Sequence, residues 1–229
     1  TRVDGDVEVN IGTNKSGTLA GNATIHGNVY GGSAEGKVNG TTAESNTHTT
    51  QVNLNQGTVN GAVFGGGLGT AIIEANVFGA VTVTTNGGSA QDVFGCNNVN
   101  GAPQQTVTVT IDGGIIGNVY GGGKDAPYPS TPTVAVSNGT VSNNVYGGGL
   151  GTTANTGGSS VTISGGLVNN DVFGGGSLAD VTGNVSVSVT GGTIVNDVYG
   201  GGALANTNTG NWDPKANSGA GGWKVESST

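Results

Sequence analysis

Seven short segments of the chain alternate Val, Ile or Leu with Thr, Ser, Asn or Glu: VEVNI at 7–11, VNLN at 52–55, VTVTT at 81–85, VTVTI at 107–111, VAVS at 134–137, VTIS at 161–164 and VSVSV at 185–189. A period of two sends β-branched side chains to one face and hydroxyls or amides to the other, the pattern of a strand with one buried and one wet face. Glycine-bearing turns follow, such as DGG at 112–114, NGT at 138–140 and TGG at 190–192. They supply residues that tolerate positive φ. A second short strand comes next, TVSNNVY at 140–146 being typical. The unit closes on a glycine run and a variable, polar segment such as KDAPYPSTP at 124–132.

The unit repeats. VYGGG or a close variant recurs seven times, at 29–33, 63–67, 93–97, 119–123, 145–149, 172–176 and 198–202, with spacings of 34, 30, 26, 26, 27 and 26 residues. NVFG at 76–79 reads as a degenerate extra copy inside an insertion. A unit of 26 residues with two or three short strands does not bury its own apolar face, but stacked copies do, each coil covering the next. A propeller blade needs four strands and about 40–50 residues, so the period is too short for one. Hexapeptide β-helices and trimeric adhesin heads use shorter units and other signatures. The pattern predicts an all-β chain, a single-stranded parallel β-solenoid of about seven coils of ~26 residues, roughly 34 Å long at ~4.8 Å per coil. The usual crossover preference makes it a right-handed β-helix. Residues 1–205 form the repeat domain, with insertions within 31–50 and 68–80, and 206–229 form a C-terminal cap or a linker and assembly segment.

Composition narrows the alternatives. Of 229 residues 48 are Gly and only 5 are Pro, and glycine has no period of three, which excludes collagen. Only 9% of residues are charged, far too few for a coiled coil, and no apolar run approaches the 18 residues of a membrane-spanning helix. The net charge of -8 carries no basic stripe, which argues against a nucleic-acid partner. Cys96 is alone and stands where other repeats carry Gly, so it reads as a small packed thiol without an intrachain disulfide. With no initiator Met and no signal peptide, the sequence reads as a mature or excised segment.

The strings TVSNNVYGGG, TIVNDVYGGG and LVNNDVFGGG resemble the glycine-rich "VYGGG" repeats of large bacterial surface and adhesin-like proteins, over about residues 5–205. The resemblance implies an exported, extracellular or cell-surface protein, a fragment of a longer one. It brings no catalytic residues.

Stacking turns each repeat position into a column. Tyr30, Phe64, Phe94, Tyr120, Tyr146, Phe173 and Tyr199 exchange Tyr and Phe freely, so the ring rather than the hydroxyl matters. They read as an aromatic ladder filling the solenoid core, with a row of exposed rings for sugar stacking as the rival. Before each valine stand Asn28, Ala62, Asp92, Asn118, Asn144, Asp171 and Asp197, a corner ladder whose side chains bond nearby backbone. Calcium is the rival there and at DGD (4–6), but carboxylates fill three of the seven places and the G-G-x-G-x-D nonapeptide is missing. The outward columns of the first strand read Glu8, Asn53, Thr82, Thr108, Ala135, Thr162, Ser186 and Asn10, Asn55, Thr84, Thr110, Ser137, Ser164, Ser188, too mixed for an ice-binding threonine face.

Catalytic motifs are nearly absent. His26 and His48 lack a Ser or Cys partner pattern, Arg2 is the only arginine, and the five lysines (Lys15, Lys37, Lys124, Lys215 and Lys224) occur singly. Polysaccharide lyases and hydrolases on β-helices need clustered carboxylates on one face. The expectation is therefore no enzyme, no catalytic residue, no metal and no cofactor. It is a structural or adhesive surface module, with a glycan-binding or polysaccharide-acting β-helix as the alternative. Its partners are a second copy bound head to tail into filaments, or a host or bacterial surface glycan or protein. Trp212 and Trp223 lie in a tail that breaks the repeat. They suit either an end cap over the last coil or a strand, WKVE at 223–226, docking on a neighbour's first coil.

Overall fold

A computed structural model of the chain describes residues 2–13, 17–41 and 47–209, and the backbone of 212–213 and 222–223. Among the described residues there is no α-helix, hence none long and apolar enough to cross a membrane, and the strands stack as a parallel β-solenoid. The first side of the solenoid is built from Val7–Ile11, Thr49–Leu54, Ala80–Phe94, Val107–Tyr120, Thr133–Val141, Ser159–Val168 and Val185–Ile194, paired in that order and all parallel. Seven stacked strands make six coil-to-coil steps, about six turns.

The period of two decides which residues face inward. Val9, Val52, Val83, Val109, Val134, Val161 and Val187 form one continuous column. Ile11, Leu54, Thr85, Ile111, Val136, Ile163 and Val189 form the next. Thr85 is the polar member and is fully buried, its hydroxyl donating to the Gly113 carbonyl at 3.0 Å. At the corner the backbone bulges rather than breaking, so Ala80–Phe94 and Val107–Tyr120 each run unbroken through it. Gly139 is one of six corner glycines in a column there, with φ of +75°. That conformation is strained for any residue with a Cβ.

The second side carries Ile25, Val59, Ala90, Ile116, Val141, Val168 and Ile194, and then Val29, Val63, Val93, Val119, Val145, Val172 and Val198, each in register with its neighbours. Apart from the polar Thr85 and the last coil's Val189 and Val198, these columns make the main interior cluster. A third side is pinned by single parallel bridges, Val38–Val77–Pro103 and Tyr128–Thr156–Val181–Thr207, and holds a smaller cluster of Val38, Val77, Val81, Cys96, Val107 and Tyr128.

Four sequence expectations shift. NVFG at 76–79 is not a repeat copy, because Val77 lies in the third-side column and Phe78 is absent from the aromatic stack. The 31–50 insertion is partly wall, since Lys37–Val38 pairs in parallel with Arg2–Val3. The outward columns are Glu8–Gln51–Thr82–Thr108–Thr133–Ser160–Ser186 and Asn10–Asn53–Thr84–Thr110–Ala135–Thr162–Ser188. Aligning units by their first valine misplaces two or more members of each column by one pleat. In fact Thr50 stands opposite Val7, and the position two before Val134, on the same face, is Pro132. A slip of two keeps every face and moves every partner. Finally, the polar segment 124–132 contains Tyr128, 1% exposed and the largest fully buried side chain among the described residues.

Candidate functional site

Glycine runs close the second side by letting coils touch backbone to backbone. The N–H groups of Gly31, Gly65, Gly95, Gly121, Gly147 and Gly174 donate to the carbonyls of Phe64, Phe94, Tyr120, Tyr146, Phe173 and Tyr199 at 2.8–3.0 Å. The volume a Cβ would take at Gly65, Gly95, Gly121 or Gly147 is filled by the carbonyl oxygen of the next coil's glycine. Weak Cα–H···O contacts are the natural tenants of such a space.

Outside this run lies the aromatic column. All six successive pairs are stacked, with centroids 4.6–5.1 Å apart and planes within 5–9°. Isolated rings prefer offset or edge-on pairing. Here the spacing of neighbouring strands, about 4.8 Å, imposes the face-to-face arrangement. The ladder does not fill the interior. Val63 points inward and Phe64, one residue on, points to the opposite face, so the rings form a separate cluster with Ala62, flanked by Leu150 and Ala203. Phe64 and Phe94 are 1% exposed because each is covered on both faces, whereas Tyr199, covered on one, is 43% exposed. Burial raises the Tyr120 and Tyr146 phenols above their usual range, while Tyr199 is raised first by its own hydrogen bond to Asp197.

The Asn/Asp column lies beside the rings and has one repeated contact. Each side-chain oxygen accepts the backbone N–H of the same position in the next coil: Asn28 from Ala62 at 2.9 Å, Asp92 from Asn118 at 3.1 Å, Asn118 from Asn144 at 3.2 Å, Asn144 from Asp171 at 3.0 Å and Asp171 from Asp197 at 3.0 Å. Asn118 Nδ2 adds a second bond to Asp92 at 2.8 Å. Ala62, which has no acceptor, interrupts the series. Burial raises the Asp92 carboxyl above its ordinary value despite these bonds. A second ladder of the same kind, Asn155 to Asp180 to Asn206, runs on the third side at 2.9 Å per step. Sequence reasoning missed it, although its members recur 25 and 26 residues apart.

The remaining candidates do not converge. His26 meets Asn60 at 3.1 Å and His48 meets Asp6 at 3.4 Å, on exposed and separate segments. In DGD, Asp4 pairs with Arg2 at 2.8 Å, and Asp6 accepts the Thr49 N–H at 2.8 Å, a bond that lowers its carboxyl below the usual value. Among the described residues no three His, Cys, Asp or Glu side chains gather into a metal-holding group. Cys96 is buried, its Sγ 3.6 Å from the Gly121 carbonyl, and burial pushes the thiol well above its normal range. Tyr128 donates to the Gln105 carbonyl at 2.7 Å, and burial raises its phenol to about 12. Asn39, another residue that the sequence did not single out, is fully buried at φ +65°. It donates to the Gly5 and Thr49 carbonyls and accepts from Thr50 at 2.6 Å.

The last coil differs from the middle. Val189, Val198 and Tyr199 are 48%, 46% and 43% exposed, while inner members of the valine columns are at 0%. In the tail, Trp212–Asp213 pairs antiparallel with Gly222–Trp223 as a two-stranded sheet of its own. The tryptophan side chains and residues 224–226, on which the cap and donor-strand expectations rest, lie outside the described residues.

No family model, no curated protein and no solved structure matches this chain.

Proposed function

We propose that the chain is a structural and adhesive module of a bacterial cell-surface or extracellular protein. The observation that carries this reading is that its recurrent side chains contact other coils rather than a common cleft. The rings stack on rings, the Asn and Asp oxygens accept N–H groups from the next coil, and the glycines admit the next coil's carbonyls. A scaffold is what such an arrangement supports, and chemistry on a substrate needs converging titratable groups. The resemblance of the VYGGG strings to bacterial surface repeats supports the location.

A glycan-binding β-helix is the second reading, favoured by one feature. An open groove near the first coils is lined by Glu8, Asn10, Asn53, Asn55 and Asn86, side chains that suit sugar hydroxyls. A glycan array combined with a hydrolysis screen on acidic polysaccharides separates these readings. The module reading expects no turnover. Turnover that survives a catalytically blank control overturns it, and array binding lost in Asn53→Ala transfers the function to the groove.

A further inference from the structure

We infer that the last coil is a docking face for the first coil of a second copy of this chain, so that the rods extend head to tail. This rests on the structural-module reading and gives it a partner. Among the described residues nothing pairs with the outer edge of Val185–Ile194 or of Val198–Tyr199, and the tail strands form their own sheet. Parallel edges left open in this way recruit another strand. The edge is apolar where it would meet a partner, with Val189, Val198 and Tyr199 all more than 40% exposed. Gly174 has the next coil over its Cα, with Gly200 O at 2.6 Å and Val187 Cγ2 at 2.8 Å from a Cβ built there, but a Cβ at Gly200 meets nothing within 4 Å.

The first coil has the complementary set, in the same columns. Tyr30 would lie on Tyr199, as Tyr146 lies on Tyr120 at 4.9 Å within the chain. Asp197, whose Oδ1 has no following coil, would accept the Asn28 N–H, as Asp92 accepts that of Asn118. Val9 and Val187, both only partly buried, would meet as Val161 meets Val134. Each of these junction pairs thus reproduces a step the chain already makes. The occupant is the chain itself rather than an unrelated strand, because only a coil with this register continues the ring stack, the Asx ladder and the valine columns together. The contact is heterologous and does not close, so it propagates as a filament.

Sedimentation and negative-stain imaging of the full chain over a wide concentration range test this. The expected result is a ladder of oligomers whose rods lengthen by one copy at a time. Gly200→Ala puts a methyl where the next copy's backbone must pass, and should weaken association at least tenfold while the far-ultraviolet spectrum stays unchanged. Tyr199→Lys should do the same from the neighbouring column. A wild-type chain that stays monomeric throughout, with its end covered by its own tail or by nothing, overturns the inference, as does assembly that neither variant weakens. The hydrolysis and glycan tests are independent of both results, so either reading can fail alone.

Discussion

Gly147 and Gly200 occupy the same repeat position and should respond oppositely to the same substitution. At Gly147 a Cβ runs into the Gly174 carbonyl and lies 2.9 Å from Ser159 Cβ and 3.0 Å from Val161 Cγ2. The carbonyl cannot swing aside freely, because Gly147 N–H donates to Phe173 O at 2.9 Å just beside it. Overpacking of this kind costs about 1–3 kcal/mol, and a weakened interstrand hydrogen bond adds about 1 kcal/mol. Neither glycine has positive φ, so alanine also removes unfolded-state freedom worth about 0.4–1 kcal/mol in favour of the fold. Gly147→Ala should therefore destabilise by about 2–3 kcal/mol. Gly200→Ala, with nothing to meet, should be neutral or stabilise by up to about 1 kcal/mol. Urea unfolding followed by circular dichroism, at a concentration low enough to keep the chain monomeric, reads both. Equal losses at the two sites would refute the argument that inter-coil approach, rather than local backbone preference, selects glycine.

Three further outcomes follow from the buried side chains. Phe94→Ala should cost about 3–5 kcal/mol by chemical denaturation, because both ring faces are covered, and Tyr199→Ala less than about 1 kcal/mol in the monomer. The folded-state value of Asp92 lies above the ordinary 3.8, so its contribution is fully present below that pH and is lost as pH rises through the folded value. Asp92→Asn keeps an acceptor for the Asn118 N–H, so it should raise the melting midpoint near neutral pH, with the gain vanishing in acid. Asn39→Gly keeps the left-handed backbone but removes three hydrogen bonds, one of them fully buried, and a loss of about 2–4 kcal/mol in thermal or urea unfolding is expected.

The β-solenoid was legible because two signals agreed: a period of two within strands and of about 26 between them. Column membership on the wet face was less legible. Val9 pairs with Val52 although Val7 opens its segment, and nothing within one unit tells a coil how far to slide. The aromatic column was visible as a repeat, but its side of the wall was not, since that follows from the pleat parity between Val63 and Phe64. Tyr128 and Asn39 were hidden by irregular surroundings. Each is a single residue closing a gap between coils, and a feature that occurs once leaves no periodic trace.

Because the inter-coil hydrogen bonds and the ring stack both run along the rod, tension applied between its first and last coils loads them in series. Each rung then bears the whole force alone, and the weakest opens first. The terminal coil, open on one side, should peel before the buried ones. Extension should proceed as a train of small, similar rupture events, each releasing about 26 residues of slack, roughly 90 Å of contour. A load applied across the rod would instead be shared by many rungs at once. Under load, such a rod is a stepwise shock absorber along its axis and a stiff post across it.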